Sequence, residues 1–276
     1  MPELPEVESM RRSLAPVLEG ARIVAAQVRH PRMVRRQPRA QDVTDRLVGR
    51  RVDDLRRLGK VLLADLEGDL VWMTHLGMSG RMQVAEPGAE ESPHTHVVLR
   101  TDRHQEVRMV DPRTFGAVAV FTPEELERSS LPAMGPDAWD ALPRAVRLAE
   151  RMAGRRVAVK SLLMDQRFLA GLGNIYADEV LHRAAIRPHR PAGSLGPEEV
   201  KRLRAAIRPV LAAGLQWGGT SLADLAYLLP DGRAGDYLAR LRVYGREGEA
   251  CLACGTPIRR TVLGGRSSFW CPSCQR

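Results

Sequence analysis

Apolar side chains recur at Val7, Met10, Leu14 and Leu18, three or four residues apart, which predicts one buried face of a helix at the start of the chain. Pro5 suits its first turn, where a missing N–H costs nothing. From residue 21 the period changes. Short runs rich in Val and Leu cover Arg22 to Val28, Arg51 to Leu58, Lys60 to Leu66, Leu70 to Met73, Val97 to Leu99, Glu106 to Val110 and Ala117 to Phe121. Polar turns such as Glu67-Gly68-Asp69 and Thr101 to His104 separate them, and short strands with frequent turns predict an antiparallel sandwich or barrel. Residues 123–140, with Pro123, Pro132 and Pro136, read as a linker. Helical periodicity returns over Ala141 to Met152, Arg155 to Met164, Asn174 to about Ala185, and Pro197 to about Leu215. Residues 217–240, punctuated by Gly218, Gly219, Pro230, Gly232 and Gly235, read as a flexible loop. Thr261 to Leu263 and Ser267 to Trp270 are β-prone arms around Gly264-Gly265-Arg266, which predicts a hairpin with Arg266 at its tip.

Composition narrows the picture. A chain of 276 residues is long enough for two domains with real cores. The net charge of +9 and pI near 10.1 favour a polyanionic partner. No apolar run approaches the ~18 residues of a membrane span, and no signal peptide precedes the first helix, so a soluble cytoplasmic protein with no membrane partner is expected. Of 42 Lys and Arg only Lys60, Lys160 and Lys201 are lysine. A chain so biased towards Arg keeps Lys where a compact or deprotonatable amine is needed; Lys201, on an exposed helix face, is an ordinary solvated lysine.

All four cysteines fall in the pattern Cys251-x2-Cys254-x16-Cys271-x2-Cys274, the spacing of a tetrahedral zinc site. Two disulfides are the alternative, but nothing else suggests an oxidising compartment. With four protein ligands and no open position, one structural Zn(2+) per chain is expected.

The opening Pro2-Glu3-Leu4-Pro5-Glu6-Val7-Glu8 carries chemistry. Removal of Met1 leaves Pro2 with a free secondary amine, and an α-amine titrates at about 7.7–8, far below a lysine. The positive end of a helix dipole disfavours its ammonium form further. Glu3 and Glu6 are near enough to move protons, so amine, carboxylate and helix start together suit Schiff-base chemistry on a carbonyl carbon. The structural reading of the same residues is a capped helix with acidic groups in its first turn. Lys60, after Gly59 at a strand start, is either a strand-edge lysine or a site amine. His75-Leu76-Gly77-Met78-Ser79-Gly80 is a Gly-rich loop, and Asp111-Pro112-Arg113-Thr114-Phe115-Gly116 presents a cation and an aromatic two apart. Met, Arg and Phe on loops of a basic domain make a suitable wedge set for a duplex from which a base is extruded. The glycines of Gly171-Leu172-Gly173 make a tight turn, Asn174 caps the helix that follows, and the amides there suit a phosphate.

These motifs, taken in order, resemble the formamidopyrimidine-DNA glycosylases, bacterial repair enzymes for oxidised purines. The likeness runs from Pro2–Glu8 through Gly59-Lys60, His75 to Met78, Asp111-Pro112-Arg113 with Phe115, and Gly171 to Ala177, to Gly264-Gly265-Arg266 and Cys274-Gln275. It implies an α+β multidomain protein: residues 1–130 a catalytic N-terminal helix plus antiparallel β-sandwich, 131–240 a helix–two-turn–helix DNA-binding domain, 241–276 a four-cysteine zinc β-hairpin. Damaged double-stranded DNA would lie in the cleft between domains, bound by a monomer.

The resemblance also implies roles. Pro2 attacks the anomeric carbon, Glu3 is the general acid/base with Glu6 beside it, and Lys60 serves elimination and holds phosphate. Met78, Arg113 and Phe115 fill the helix after the lesion leaves. His75 belongs to the same DNA-facing set. His94, Arg155, Lys160, Asn174 and Arg266 grip phosphates, and Arg266 assists the second elimination. The activity implied is excision of the oxidised base followed by β,δ-elimination. The run Leu225-Ala226-Tyr227-Leu228-Leu229 is more apolar than expected in the segment that resembles a cover over the extruded base. Two other functions share parts of this pattern. An endonuclease VIII-type enzyme for oxidised pyrimidines usually has Gly where Leu4 stands. A non-enzymatic zinc-finger DNA-binding protein accounts for charge and cysteines but gives no reason for Pro2, Glu3 and Lys60.

Overall fold

The computed structural model describes residues 1–37, 39–221 and 227–276. In chain order the elements are α1 (Leu4–Leu18), β1 (Ile23–Val28), α2 (Ala40–Leu47), β2 (Val52–Leu58), β3 (Val61–Leu66), β4 (Leu70–His75), β5 (Arg81–Ala85), β6 (Thr95–Thr101), β7 (Glu106–Val110), β8 (Ala117–Phe121), α3 (Pro123–Arg128), α4 (Ala145–Met152), α5 (Val159–Met164), α6 (Asn174–Arg183), α7 (Pro197–Gln216), β9 (Arg259–Leu263) and β10 (Arg266–Trp270). Among the described residues no helix is long and apolar enough to cross a membrane.

The chain divides into two compact units, Met1–Pro132 with Trp217–Leu238, and Ala133–Gln216 with Ala239–Arg276. In the first, two four-stranded antiparallel sheets run β1-β6-β7-β5 and β2-β3-β4-β8. The predicted face of α1 is the face it buries: Val7, Met10, Leu14 and Leu18 are at most 1% exposed and share a core with Ile23, Leu62, Trp72, Val107 and Val118. The helix ends as Gly20 turns into the left-handed region at φ +76°, where glycine pays no steric penalty.

Several elements depart from the pattern. β5 is a short run whose apolar positions Met82 and Val84 alternate with Arg81 and Gln83, and its pairing with β7 makes it a strand. The proline-rich stretch after Phe121 is not all linker: Pro123 sits in the first turn of α3 and Thr122 with Glu125 forms a capping box. Conversely, α4 begins at Ala145 and not near Ala141, since Pro143 keeps Leu142 out of helical geometry. The segment Trp217–Leu238 joins the first unit, although its position in the chain placed it with the helices. Tyr227 and Leu229 account for part of its apolar wording, since both pack against the sandwich core. Leu225 and Ala226 lie outside the described residues.

In the second unit α6 packs on α7, with Tyr176 fully buried. A Cβ built on Gly214 of α7 meets the Tyr176 ring and hydroxyl at 2.5–2.8 Å, so glycine is what lets the two helices approach. β9 and β10 form the hairpin, and the two tip residues are Gly264 and Gly265, both at positive φ, as a two-residue turn of the primed type requires. Arg266 is thus the first strand residue after the tip and not the tip itself.

Gly214→Ala tests this packing. Alanine favours a helix interior by about 1 kcal/mol, whereas overpacking costs roughly 1–3 kcal/mol. The expected result is a net loss of about 1 kcal/mol of unfolding free energy in urea titration. A more stable variant would mean that Tyr176 has room to move.

Candidate active site and nucleic-acid interface

The start of α1 is stapled by Glu6. Its Oε2 accepts the Glu3 backbone N–H at 2.8 Å, and its Oε1 accepts the Thr220 N–H at 2.7 Å. The Tyr227 hydroxyl shares its one proton between the carbonyls of Glu6 (3.2 Å) and Gly218 (3.1 Å). Burial, with the Glu6 charge nearby, pushes the Tyr227 phenol well above its ordinary range, so it stays a donor. Pro2 is buried beneath an exposed Met1, and Glu3 is 2% exposed. A Cβ at Gly219, whose φ is +86°, would strike Glu6 at 2.8 Å.

Lys60 lies in the two-residue turn between β2 and β3, after Gly59 at φ +58°. Arg57 ties that turn to α1: its Nη1 donates to Gly59 O at 3.1 Å and its Nε pairs with Glu8 at 3.3 Å. Burial raises the Glu8 carboxyl, but the guanidinium groups of Arg11, Arg12 and Arg57 outweigh it and hold the group below its usual range. His75 ends β4. Burial first, then the charges of Arg36, Lys60 and Arg35, pushes it down to about 4. Its Nδ1 accepts the Gly77 N–H at 3.0 Å, which leaves the proton of the neutral ring on Nε2. His75 is therefore an uncharged donor near neutral pH.

The two loops singled out in the sequence are knotted together. A Cβ on Gly77 would meet the Phe115 and Gly116 backbone at 2.4 Å. Fully buried Asp111 accepts Ser79 Oγ at 2.7 Å and Gly116 N–H at 2.7 Å, with Arg113 N–H at 3.3 Å. Met78 and Phe115 project from this knot at 41% and 39% exposure, and the Arg113 guanidinium lies 4.9 Å from the Phe115 ring. Exposed His94, at φ +65°, is held alongside because its carbonyl accepts the Asp111 N–H at 3.0 Å. The structure thus brings Met78, Arg113, Phe115 and His94 onto one surface of the first unit, and Pro2, Glu3 and Glu6 onto one helix start.

In the second unit Arg155 and Arg266 are exposed, as phosphate contacts need to be. Lys160 is different. It is 1% exposed, pairs with Asp178 at 2.8 Å and donates to Ser267 O at 2.8 Å. In this conformation its ammonium positions the hairpin instead of facing solvent. Burial pushes Asp178 up, opposed by Lys160. Asn174 is not the cap of α6: Gly173 holds that place, and Asn174 Oδ1 has no hydrogen-bond partner. Glu179, missed in the sequence because a lone Glu on a helix gives no signal, accepts the N–H groups of Arg242, Val243 and Tyr244 at 2.9–3.0 Å.

The sulfurs of Cys251, Cys254, Cys271 and Cys274 lie within 4.8 Å of one another, with Cys251–Cys274 at 3.9 Å and Cys254–Cys271 at 3.5 Å. Tetrahedral thiolates about 2.3 Å from zinc stand about 3.8 Å apart, so the donor set fits. His182 Nε2 lies 3.7 Å from Cys251 Sγ, and Gln275 bonds the Cys271 N–H and Ile186 O, which joins the cluster to the end of α6.

Comparison with known proteins places the chain among the DNA-repair glycosylases. Family models match at residues 1–118 (formamidopyrimidine-DNA glycosylase N-terminal domain), 134–225 (the H2TH domain of the same enzymes) and 248–276 (a zinc finger found in FPG and IleRS). The formamidopyrimidine-DNA glycosylase of Methylococcus capsulatus is 45% identical over the whole of both chains. Among solved structures, a Lactococcus lactis FPG mutant in complex with a Fapy-dG containing DNA matches with a TM-score of 0.91 at 29% identity, covering 100% of both chains. The MutM (FPG) protein of Thermus thermophilus matches with 0.87 at 39% identity, covering 99% and 98%. The chain belongs to the formamidopyrimidine-DNA glycosylase family, and its four cysteines hold one structural zinc ion.

The depressed His75 gives a pH signature. Its folded pKa lies below the unfolded value near 6.5, so the unfolded chain binds the extra proton as pH falls from 6.5 towards 4, and stability is lost over that window. The full effect is on the order of 3 kcal/mol. His75→Gln should flatten the pH dependence of unfolding between 6.5 and 4; an unchanged slope would place the titration elsewhere.

Proposed function

We propose that this glycosylase excises oxidised purines, 8-oxoguanine and formamidopyrimidines, from duplex DNA and then cuts the strand as an AP lyase. The observation that best supports this is the buried Pro2-Glu3 pair at a helix start fixed by Glu6. A carboxylate bonded to two backbone N–H groups is not needed for a merely capped surface helix.

In this reading Met1 is removed and the Pro2 nitrogen lone pair attacks C1′ of the damaged nucleotide. The bond from C1′ to the base breaks, and the base leaves with a proton. Glu3, the general acid/base, protonates the ring oxygen as the sugar opens. The product is an iminium ion, because a secondary amine bonded to carbon has no second N–H to lose. Loss of a C2′ proton then expels the 3′ phosphate, and loss of a C4′ proton expels the 5′ phosphate. Lys60 and the neutral His75 line this chemistry, Lys60 as a cation for phosphate and proton transfer. Met78, Arg113 and Phe115 occupy the space the nucleotide leaves. His94, Arg155, Asn174 and Arg266 contact phosphates; the unpartnered Asn174 Oδ1 beside a helix start fits a group completed by a ligand. The zinc takes no part in bond making and holds β9–β10 so that Arg266 faces the DNA. In this reading the working divisions are 1–130 for catalysis, 131–240 for DNA binding and 241–276 for the zinc finger, with the segment around Thr220 and Tyr227, which packs in the first unit, serving catalysis.

Glu3→Gln separates the two activities. Its amide cannot relay a proton, so release of 8-oxoguanine from duplex DNA should fall about 100-fold or more, while cleavage at a ready-made abasic site persists. Thymine glycol and undamaged duplexes complete the assay. Faster release of thymine glycol than of 8-oxoguanine by the unaltered chain would make it a pyrimidine enzyme, and no release from either would leave a DNA-binding protein.

A further inference from the structure

Arg35 follows the short 3-10 turn Pro31–Val34 and reaches the loop that carries Arg113 and Phe115, 80 residues away in sequence. Its Nη2 donates to Phe115 O at 2.9 Å, and its Nη1 donates to Gly116 O and, at 2.7 Å, to Arg32 O. One planar group thereby spans two consecutive carbonyls and fastens them to its own turn, a geometry that a fork of fixed N–H groups provides and an ammonium does not. Among the described residues no carboxylate pairs with Arg35.

The loop needs a fastening of this kind. Thr114 adopts φ +52°, a region sparsely populated by β-branched residues, between the two side chains that project outward. Asp111 collects the amide side of the loop, through the N–H groups of Arg113 and Gly116. Arg35 collects the carbonyl side. An anion on the amides and a cation on the carbonyls fix the backbone from both polarities, so Phe115 stays exposed without being free to collapse onto the sheet.

We propose that Arg35 is a positioning residue for base extrusion: its guanidinium sets residues 113–116 so that Phe115 and Arg113 enter the duplex as the damaged nucleotide leaves. This rests on the wedge role given above to those two side chains. Arg35 is itself exposed, so its replacement leaves the core untouched.

The test uses Arg35→Gln, Arg35→Lys, Phe115→Ala and the Arg35→Gln/Phe115→Ala double variant of the full zinc-loaded chain. Single-turnover release of 8-oxoguanine from duplex DNA is compared with cleavage at an abasic site in single-stranded DNA, where no helix has to be filled. Both Arg35 variants are expected to lose about tenfold on the duplex and to stay within about twofold on the single strand, and the double variant to lose no more than Phe115→Ala alone. Amide exchange over 113–116 should quicken in both. Any one of these results would overturn the proposal: equal losses on both substrates, additive losses in the double variant, unchanged exchange, or a Lys variant that behaves as wild type, which would make Arg35 a plain phosphate contact. A normal duplex rate in Phe115→Ala would remove the wedge role and this proposal with it. A slow Phe115→Ala beside normal Arg35 variants would remove the proposal alone.

Discussion

The carboxylate of Glu6 is the constraint on which the start of α1 depends. It is 2% exposed and accepts one N–H from Glu3 and one from Thr220, residues more than two hundred positions apart. Each such bond to a charged acceptor contributes roughly 1.5–3 kcal/mol, and burying the charge costs several kcal/mol. The two terms are of the same order. What remains is position: the nitrogen of residue 3, and with it residue 2, is held at a fixed place relative to the segment around Thr220. Gly219 is part of the same constraint, since any Cβ there would displace the carboxylate.

Charges elsewhere in the chain follow the same logic of position over stability. Lys160 and Asp178 are buried as a pair whose second partners are the backbone of β10, at Ser267 O and Phe269 N. Glu179 spends its carboxylate on three successive amides of 242–244. These carboxyl groups fix the backbone of β10, the strand that begins at Arg266, and of residues 242–244. In the first unit Arg57 and Glu8 do the equivalent for the turn bearing Lys60.

How much of this was legible depends on whether the signal was local. The face of α1, seven of the eight sandwich strands and the zinc spacing follow from periods and short motifs, because neighbours in sequence enforce them. β5 was missed because five residues carry too little pattern without the strand they pair with. α3 carried its capping box in plain view at Thr122 and Glu125, but the prolines around it argued for a linker. The side chains reported by motif, Pro2, Glu3, Met78, Arg113 and Phe115, are near-surface or terminal groups whose type is their signal. Arg35, Arg57, Glu179 and Tyr227 act through partners tens to hundreds of residues away, and no spacing along the chain announces them. Lys160 carries a signal in its rarity among 42 basic residues, but nothing along the chain announces its buried pairing with Asp178.

The central claim is that the Pro2 nitrogen forms the bond to the sugar. Borohydride reduction of a reaction on duplex DNA bearing an abasic site tests it most directly, because the iminium ion is trapped as a permanent protein–DNA cross-link. The account predicts a cross-link that maps to Pro2 in the chain lacking Met1, and none in a form whose N-terminal extension cannot be removed, since an acylated proline nitrogen has no usable lone pair. Equal trapping by the extended form, or a cross-link at Lys60 or Lys160, would contradict it.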